Sequence, residues 1–247
     1  MFLFEKMTDK KNNSSKTIPI GIASEKDRAF PVTISMRAYF STYHLWAAKD
    51  FARQAKKVEC EHSGKPKFDI RHRALVINSI LSSVAFAEAA INEVFQDASD
   101  QHHSYIGSLE KDQIALLSDY WGMTELKNKS HISLLDKYQL ALRFCGKNIF
   151  KKGKPPYQGA QDVIDLRNTL VHYKPESISL QSNHKLSKKL QGKFAENSLM
   201  DKSGNPHFPD KCLGCECARW SWKTMEKFVD SFFDGIGIAP NYKKLEF

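Results

Sequence analysis

The chain has 247 residues, of which 41% are hydrophobic and 26% charged, so it is long enough to bury a sizeable core. This composition excludes collagen-like, repetitive and broadly disordered chains. The formal charge of +9 and the pI of about 9.2 favour acidic partners, of which nucleic acid is the commonest.

Three features of the sequence bear on the cellular compartment: the lack of a signal peptide pattern, the lack of a long apolar run, and the number of cysteines. The apolar run at Met1–Phe4 is interrupted by Glu5 and Lys6, too soon for a signal peptide. No run approaches the roughly 18 consecutive apolar residues that a membrane helix needs. Five cysteines, an odd number without a regular framework, fit a reducing compartment. We therefore expect a cytoplasmic protein with no membrane segment.

Residues 8–30 contain few large apolar side chains, which predicts that residues 1–30 form a flexible, polar N-terminal tail. Residues 31–247 are interpreted as one helical domain. A first helix is predicted from about Ser35 to the polar turn at 60–66, because apolar residues recur at helical spacing. In the second helix, apolar residues from Val76 to Val94 follow one face at steps of three and four.

The remaining predicted elements are also helical. They are a shorter helix at Leu109–Trp121 and main helices at Leu135–Ile149, Tyr157–Tyr173 and Ala218–Ile236. Residues 176–209 are lysine-rich and weakly periodic, which predicts a long loop. Since no segment alternates convincingly as a strand does, the fold class is all-α, a bundle of about five main helices.

The chemistry-bearing motif lies at the end of the Tyr157–Tyr173 helix, before Pro175. It reads Arg167-Asn168-Thr169-Leu170-Val171-His172. On a helical wheel the predicted core stripe of this helix is formed by Val163, Leu166, Leu170 and Tyr173. Asn168 and His172 lie almost opposite that stripe.

Arg167 lies between the two faces, flanked by Ile164 and Val171. This second apolar flank predicts a self-associating surface with a polar pocket. A purely structural interpretation also stands, because Arg and His near a helix C-terminus are favoured by the helix dipole. Asn168 and His172 would then be a surface pair one turn apart.

An arginine, a polar residue and, after three further residues, a histidine at the end of a late bundle helix resemble the HEPN family. The resemblance in organisation extends over roughly residues 35–238 and includes the long second helix and the closing helix. It implies an all-α HEPN-like bundle that dimerises across the motif helix. In active members it also implies a metal-independent endoribonuclease without a cofactor, as found in toxin–antitoxin and phage-defence systems. RNA and an antitoxin protein are the implied partners.

Matched residue by residue, the resemblance implies that Arg167 binds phosphate, Asn168 is the polar residue beside it, and His172 is the acid–base residue. Attack by a ribose 2′-hydroxyl needs a base that titrates near neutrality, as an unperturbed histidine does at about pH 6.5. Arginine suits the charge that develops on phosphate oxygens. Candidate RNA-binding lysines lie on both sides of the motif: Lys151, Lys152, Lys154 and Lys174.

Base and acid are two roles, and one chain supplies one motif histidine, so a symmetric dimer would bring two copies of His172 into one cleft. The alternative is a catalytically inactive HEPN module that binds a nucleotide, RNA or a protein. On the second helix, Glu88 and Asn92 share a face, and either contact Arg167 or point at water.

Three cysteines, Cys212, Cys215 and Cys217, resemble half of a zinc site, which His207 or Asp210 could complete. Cys212 and Cys215 also continue the helical spacing of Ala218 and Trp222, which favours small core residues instead. We therefore expect no bound metal.

Overall fold

The computed structural model describes residues 5–6, 34–62, 66–127, 132–175 and 184–244. The chain divides into two compact units, Met1–Ala38 and Tyr39–Phe247. In the first unit, strand β1 (Glu5–Lys6) pairs antiparallel with strand β2 (Ile34–Ser35). The rest of the tail predicted for residues 1–30 lies outside the described residues.

The second unit is all-α, as the sequence predicts. Its α-helices are α1 (Phe40–Glu61), α2 (Ile70–Asp100), α3 (Lys111–Lys127), α4 (Leu134–Phe144), α5 (Tyr157–Val171), α6 (Lys185–Leu190) and α7 (Cys215–Ile236). Short 3-10 turns occur at Ser198–Met200 and Asn241–Lys244, and a π-helical turn at His207–Lys211.

Three predictions about element bounds were wrong. The first helix begins at Phe40 and not at about Ser35, which lies in strand β2. Helix α4 ends at Phe144, because Gly146 adopts a left-handed conformation (φ 66°) and its N–H closes the helix on Arg143. Ile149 therefore lies beyond the helix and is 40% exposed. The predicted long loop contains α6, whose Leu186 and Leu190 are buried. Of that loop, residues 176–183 lie outside the described part of the chain.

The hydrophobic core consists of two clusters that meet along α2. The larger cluster joins the C-terminal half of α2 with α3, α4, α5 and α7. The smaller cluster joins the N-terminal half of α2 with α1, α5, α6 and the start of α7. By length and composition α2 could cross a membrane, but 56% of its most apolar window is buried inside the protein. Burial of this extent is what a central core helix requires.

One end of the bundle is held by the buried carboxylate of Glu59, near the end of α1. It accepts hydrogen bonds from His72 Nε2 at 2.7 Å, from Ser198 Oγ at 2.8 Å, and from the backbone N–H of Cys215. Burial acts to raise the pKa of Glu59, but these hydrogen bonds outweigh burial and lower it. Since Gly214 offers no side chain as N-cap, Glu59 also caps the first turn of α7.

The other end of α1 is held by Glu93 of α2. Its two carboxylate oxygens accept from the backbone N–H of Ser41 at 2.8 Å and from the Ser41 hydroxyl at 2.6 Å. Tyr39, the N-cap of α1, makes no side-chain cap of its own. Burial raises the pKa of Glu93 to about 7, and the neighbouring charge of Asp97 adds to the rise.

This pKa predicts that the protein loses stability between about pH 5 and pH 8. The folded chain retains a proton on Glu93 that the unfolded chain releases near pH 4.5, so the free energy of unfolding falls as pH rises through this interval. Glu93→Gln stays neutral and keeps an acceptor for the Ser41 N–H. We expect it to be more stable than wild type at pH 8, by up to roughly 3 kcal/mol.

Urea unfolding at pH 5 and pH 8 measures the difference, with Glu110→Gln at an exposed position as the matched control. An equal pH dependence in wild type and Glu93→Gln would contradict the prediction.

Candidate functional site

The motif helix α5 is oriented by packing on α2 and α7. Val163 and Leu166 are fully buried, as predicted, and Gly159 allows a close approach, because a Cβ there would lie 2.8 Å from Thr224 Cγ2. Two residues of the predicted faces are placed differently. Ile164 is only 9% exposed and belongs to the core, whereas Tyr173 is 41% exposed and does not.

The helix ends where the motif ends. The backbone N–H of His172 still donates to the Asn168 carbonyl at 2.9 Å, and His172 is the C-cap. Asn168 and His172 are both exposed, about one helical turn apart on one side of α5. Of the predicted second apolar flank, only Val171 is exposed, at 50%.

Arg167 points in another direction, toward α2. Its Nη2 lies 3.9 Å from Glu88 Oε2, and the Arg167 side chain is 27% exposed. Lys137 of α4 approaches the other oxygen of Glu88 at 3.9 Å and donates to Asn92 Oδ1 at 2.9 Å. Glu88, itself 46% exposed, therefore faces water and also approaches Arg167, so both interpretations of this residue hold in part.

Asn168 and His172 line an open groove between α5 and α6, which we call the α5–α6 groove. Its two halves, of about 430 and 460 Å³, share Thr169 and His184. Such volumes lie within the range of small-ligand sites, about 300–1,000 Å³. The half beside the motif also holds Tyr173 and Lys174, and the other half holds Lys185 and Lys189. Arg167 lines neither half.

Ion pairs fasten the α6 segment to α5. Lys193 Nζ lies 2.8 Å from Asp162 Oδ2, and Lys189 contacts both Asp165 and Asp162. The Asp162 side chain is 2% exposed, and its other oxygen accepts from Gln158 at 2.8 Å. The hydrogen bond to Asp165 raises the pKa of Lys189. These lysines are therefore occupied in structural contacts.

The four candidate RNA-binding lysines do not lie together. Lys174 lines the groove, but Lys151, Lys152 and Lys154 precede α5 and are exposed near its opposite end. Since a helix rises about 1.5 Å per residue, the 15 residues of α5 separate the two groups by about 20 Å.

The cysteine cluster is part of the smaller core. Cys212 and Cys217 are completely buried, and the Cys215 thiol donates to Glu59. Asp210 is paired with Arg73 at 2.9 Å. Among the described residues, no three His, Cys, Asp or Glu side chains are grouped to hold a metal. That the protein binds no metal stays a prediction.

Two features of the groove were missed in the sequence. One is His184, which precedes α6 and lines both halves of the groove. The other is the charge match between α5, with acids at 162 and 165, and the lysines at 189 and 193. The available signal was the pair Leu186 and Leu190, whose spacing of four is typical of a short amphipathic helix.

No protein-family model, curated protein or solved structure matches this chain. The fold and the sequence define the class of this protein as all-α, with an Arg-Asn-x-x-x-His motif at the end of a core helix.

The ion pairs predict that α6 is loosened when Asp162 is replaced. Asp162→Asn removes the negative charge that pairs with Lys193. The asparagine oxygen can still accept the hydrogen bond from Gln158. We expect the amides of 186–191 to exchange faster, equivalent to about 1–2 kcal/mol of local stability. Hydrogen exchange measures this, with Asp119→Asn at an exposed position of α3 as control. Unchanged exchange in α6 would show that its leucines alone hold it.

Proposed function

We propose that this chain is a metal-independent endoribonuclease of the HEPN type that works as a homodimer. The observation that carries the proposal is the shared position of Asn168, His172 and Lys174 in one open groove, at the end of a rigid core helix. An amide, an imidazole and a fixed cation on an exposed surface suit a flexible, anionic polymer.

The reaction needs one base and one acid, which the two copies of His172 in a dimer would supply. A base removes the proton of the ribose 2′-hydroxyl, whose oxygen attacks the adjacent phosphorus. The bond from phosphorus to the 5′-oxygen breaks, and an acid protonates the departing oxygen. The products are a 2′,3′-cyclic phosphate and a free 5′-hydroxyl. His172, exposed and at the helix end, is the residue we assign to proton transfer.

Arg167 is assigned to the phosphate. Its contact with Glu88 is long, at 3.9 Å, and both side chains are partly exposed, so the guanidinium can exchange this partner for a phosphate at small cost. Before a phosphate binds, Glu88 holds Arg167 on the side of α5 that faces α2. Arg167 and Asn168 are adjacent in α5, so their side chains point about 100° apart around the helix axis.

In the proposed dimer, two chains together bring the separated motif residues into one site. Within one chain, Arg167 does not line the groove that holds His172. Val171 and Tyr173, 50% and 41% exposed, flank His172 and supply apolar surface for a second copy. A dimer across the end of α5 would bring both copies of His172, and Arg167 with them, around one scissile phosphate.

The same separation favours a second candidate function. A chain that does not assemble Arg167 and His172 in one cavity fits an inactive HEPN module that binds RNA, a nucleotide or a protein through the α5–α6 groove. In either case we propose a cytoplasmic setting such as a toxin–antitoxin or phage-defence system. An antitoxin would act by covering the groove.

Cleavage of RNA separates the two candidates. Purified protein incubated with total RNA in EDTA should produce fragments ending in 2′,3′-cyclic phosphate, and His172→Ala should lower the rate by at least about 100-fold. Stability should change by less than about 0.5 kcal/mol, because His172 is exposed. His103→Ala, at another exposed histidine, is the control. RNA that stays intact with wild-type protein would favour the inactive module.

A tethered dimer tests the composite site. One wild-type copy linked to one His172→Ala copy should retain far less than half the rate of a tethered wild-type dimer, because a shared cleft loses one of its two proton-transfer groups. Two independent sites would retain about half. A half-rate dimer, or a fully active monomer, would reject the composite site and leave cleavage by His172 standing.

A further inference from the structure

We propose that Lys137 of α4 is a second phosphate-contacting residue, which forms a two-cation clamp with Arg167. This inference rests on the proposed function, because it takes a phosphate of RNA as the ligand. Lys137 Nζ and Arg167 Nη2 each lie 3.9 Å from Glu88, and they approach opposite oxygens of its carboxylate. The two cations therefore already bracket one small anion, and the carboxylate of Glu88 stands in for the phosphate that the clamp would bind.

A carboxylate and a phosphate offer the same kind of contact to a pair of cations. Both present two negative oxygens side by side, and arginine forks toward either group. The contacts with Glu88 are long, because charge-assisted N–H to O bonds measure about 2.7–2.9 Å. Glu88 is also the most exposed of the three side chains, at 46% against 27% for Arg167 and 18% for Lys137. Its carboxylate can therefore turn toward water and leave the space between the cations to a phosphate.

The position of Lys137 is fixed by the packing of α4 on α2. The next residue, Tyr138, is fully buried, and its hydroxyl donates to the backbone carbonyl of Ala87 at 2.7 Å. Since Ala87 directly precedes Glu88, this hydrogen bond sets Lys137 beside Glu88. Lys137 Nζ also donates to Asn92 Oδ1 at 2.9 Å. A lysine held in this way loses less conformational entropy on binding than an unrestrained surface lysine does.

The charges of the clamp do not cancel. Within the described part of the chain, Glu88 is the one carboxylate at ion-pair distance from either cation, so two positive charges face one negative charge. Asp136, the neighbour of Lys137 in sequence, accepts a hydrogen bond from the Ser133 hydroxyl at 2.7 Å. The excess of positive charge attracts an anion to this point of the surface. A phosphodiester, with one negative charge, would replace the charge of Glu88 between the cations.

Lysine and glutamate variants give opposite expectations, which separates a clamp from a structural contact. Binding is measured by fluorescence anisotropy with a labelled single-stranded RNA of mixed sequence, in the His172→Ala background so that the probe stays intact. Lys137→Gln keeps a donor for Asn92 but loses the charge, and we expect Kd to rise about five- to tenfold. The slope of log Kd against log salt concentration should fall by about 0.7, the contribution of one phosphate contact. Glu88→Gln removes the competing charge, so Kd should fall about two- to fivefold.

Conservative and distant variants are the controls. Lys137→Arg keeps the charge and should hold Kd within about twofold of the parent protein. Lys227→Gln and Glu110→Gln, at exposed positions of α7 and just before α3, should each change Kd by less than about 1.5-fold. An unchanged Kd in Lys137→Gln would overturn the inference. An unchanged or raised Kd in Glu88→Gln would do so too, and this variant decides alone if urea unfolding shows that Lys137→Gln does not fold.

Cleavage by the protein with His172 intact distinguishes failure of the clamp from failure of the proposed function. Lys137→Gln should lower kcat/KM about tenfold and leave the pH–rate profile unchanged, because the lysine binds phosphate and transfers no proton. Cleavage that depends on His172 but is unchanged in Lys137→Gln would overturn the clamp and leave the endoribonuclease standing. If RNA is bound with the expected effects of both variants but is never cleaved, the endoribonuclease fails and the clamp stands.

Discussion

The carboxylate of Glu59 is the point at which three helices and a short turn are joined at one end of the bundle. Its partners come from the start of α2, from the turn at Ser198–Met200 and from the start of α7, and all of them donate hydrogen bonds. A buried charge is tolerated only when donors replace the lost water, so these segments must converge for Glu59 to be buried. Helix α5 packs on α2 and α7, and the orientation of the candidate site therefore depends on this junction.

Helix α5 carries different chemistry on each of its sides. Its apolar residues face both core clusters, its acids at 162 and 165 hold the α6 segment, and its last turn presents Asn168 and His172. Arg167 lies on the side of α2, where Glu88 approaches it. The ion pairs thus belong to the site as much as the motif does, because they fasten the α6 segment, which forms one side of the groove, to α5.

Helical periodicity was sufficient to predict the all-α class and the positions of the main helices, since the apolar steps of α2 and α7 are long and regular. Helix ends were harder to predict from the sequence. Gly146, for example, ends α4 through a left-handed backbone conformation, which the spacing of apolar residues does not reveal. Helix α6 has six residues, too few for a clear period, and is held by side chains of another helix. The motif was visible as a string, but the direction of Arg167 follows from its partner on α2, which only the tertiary structure supplies.

Because Lys189 and Lys193 are paired with acids of α5, the stability of the α6 segment should depend on ionic strength. The contact between Lys189 and Asp165 is exposed, so dissolved salt screens it, whereas Asp162 is buried and its pair with Lys193 is screened less. In the proposed function, release of counterions from RNA would also make binding weaker as salt rises. If salt also loosens α6, the slope of log Kd against log salt concentration overstates the number of phosphates that the groove contacts. The apparent phosphate count would then include a part that belongs to the protein's own ion pairs.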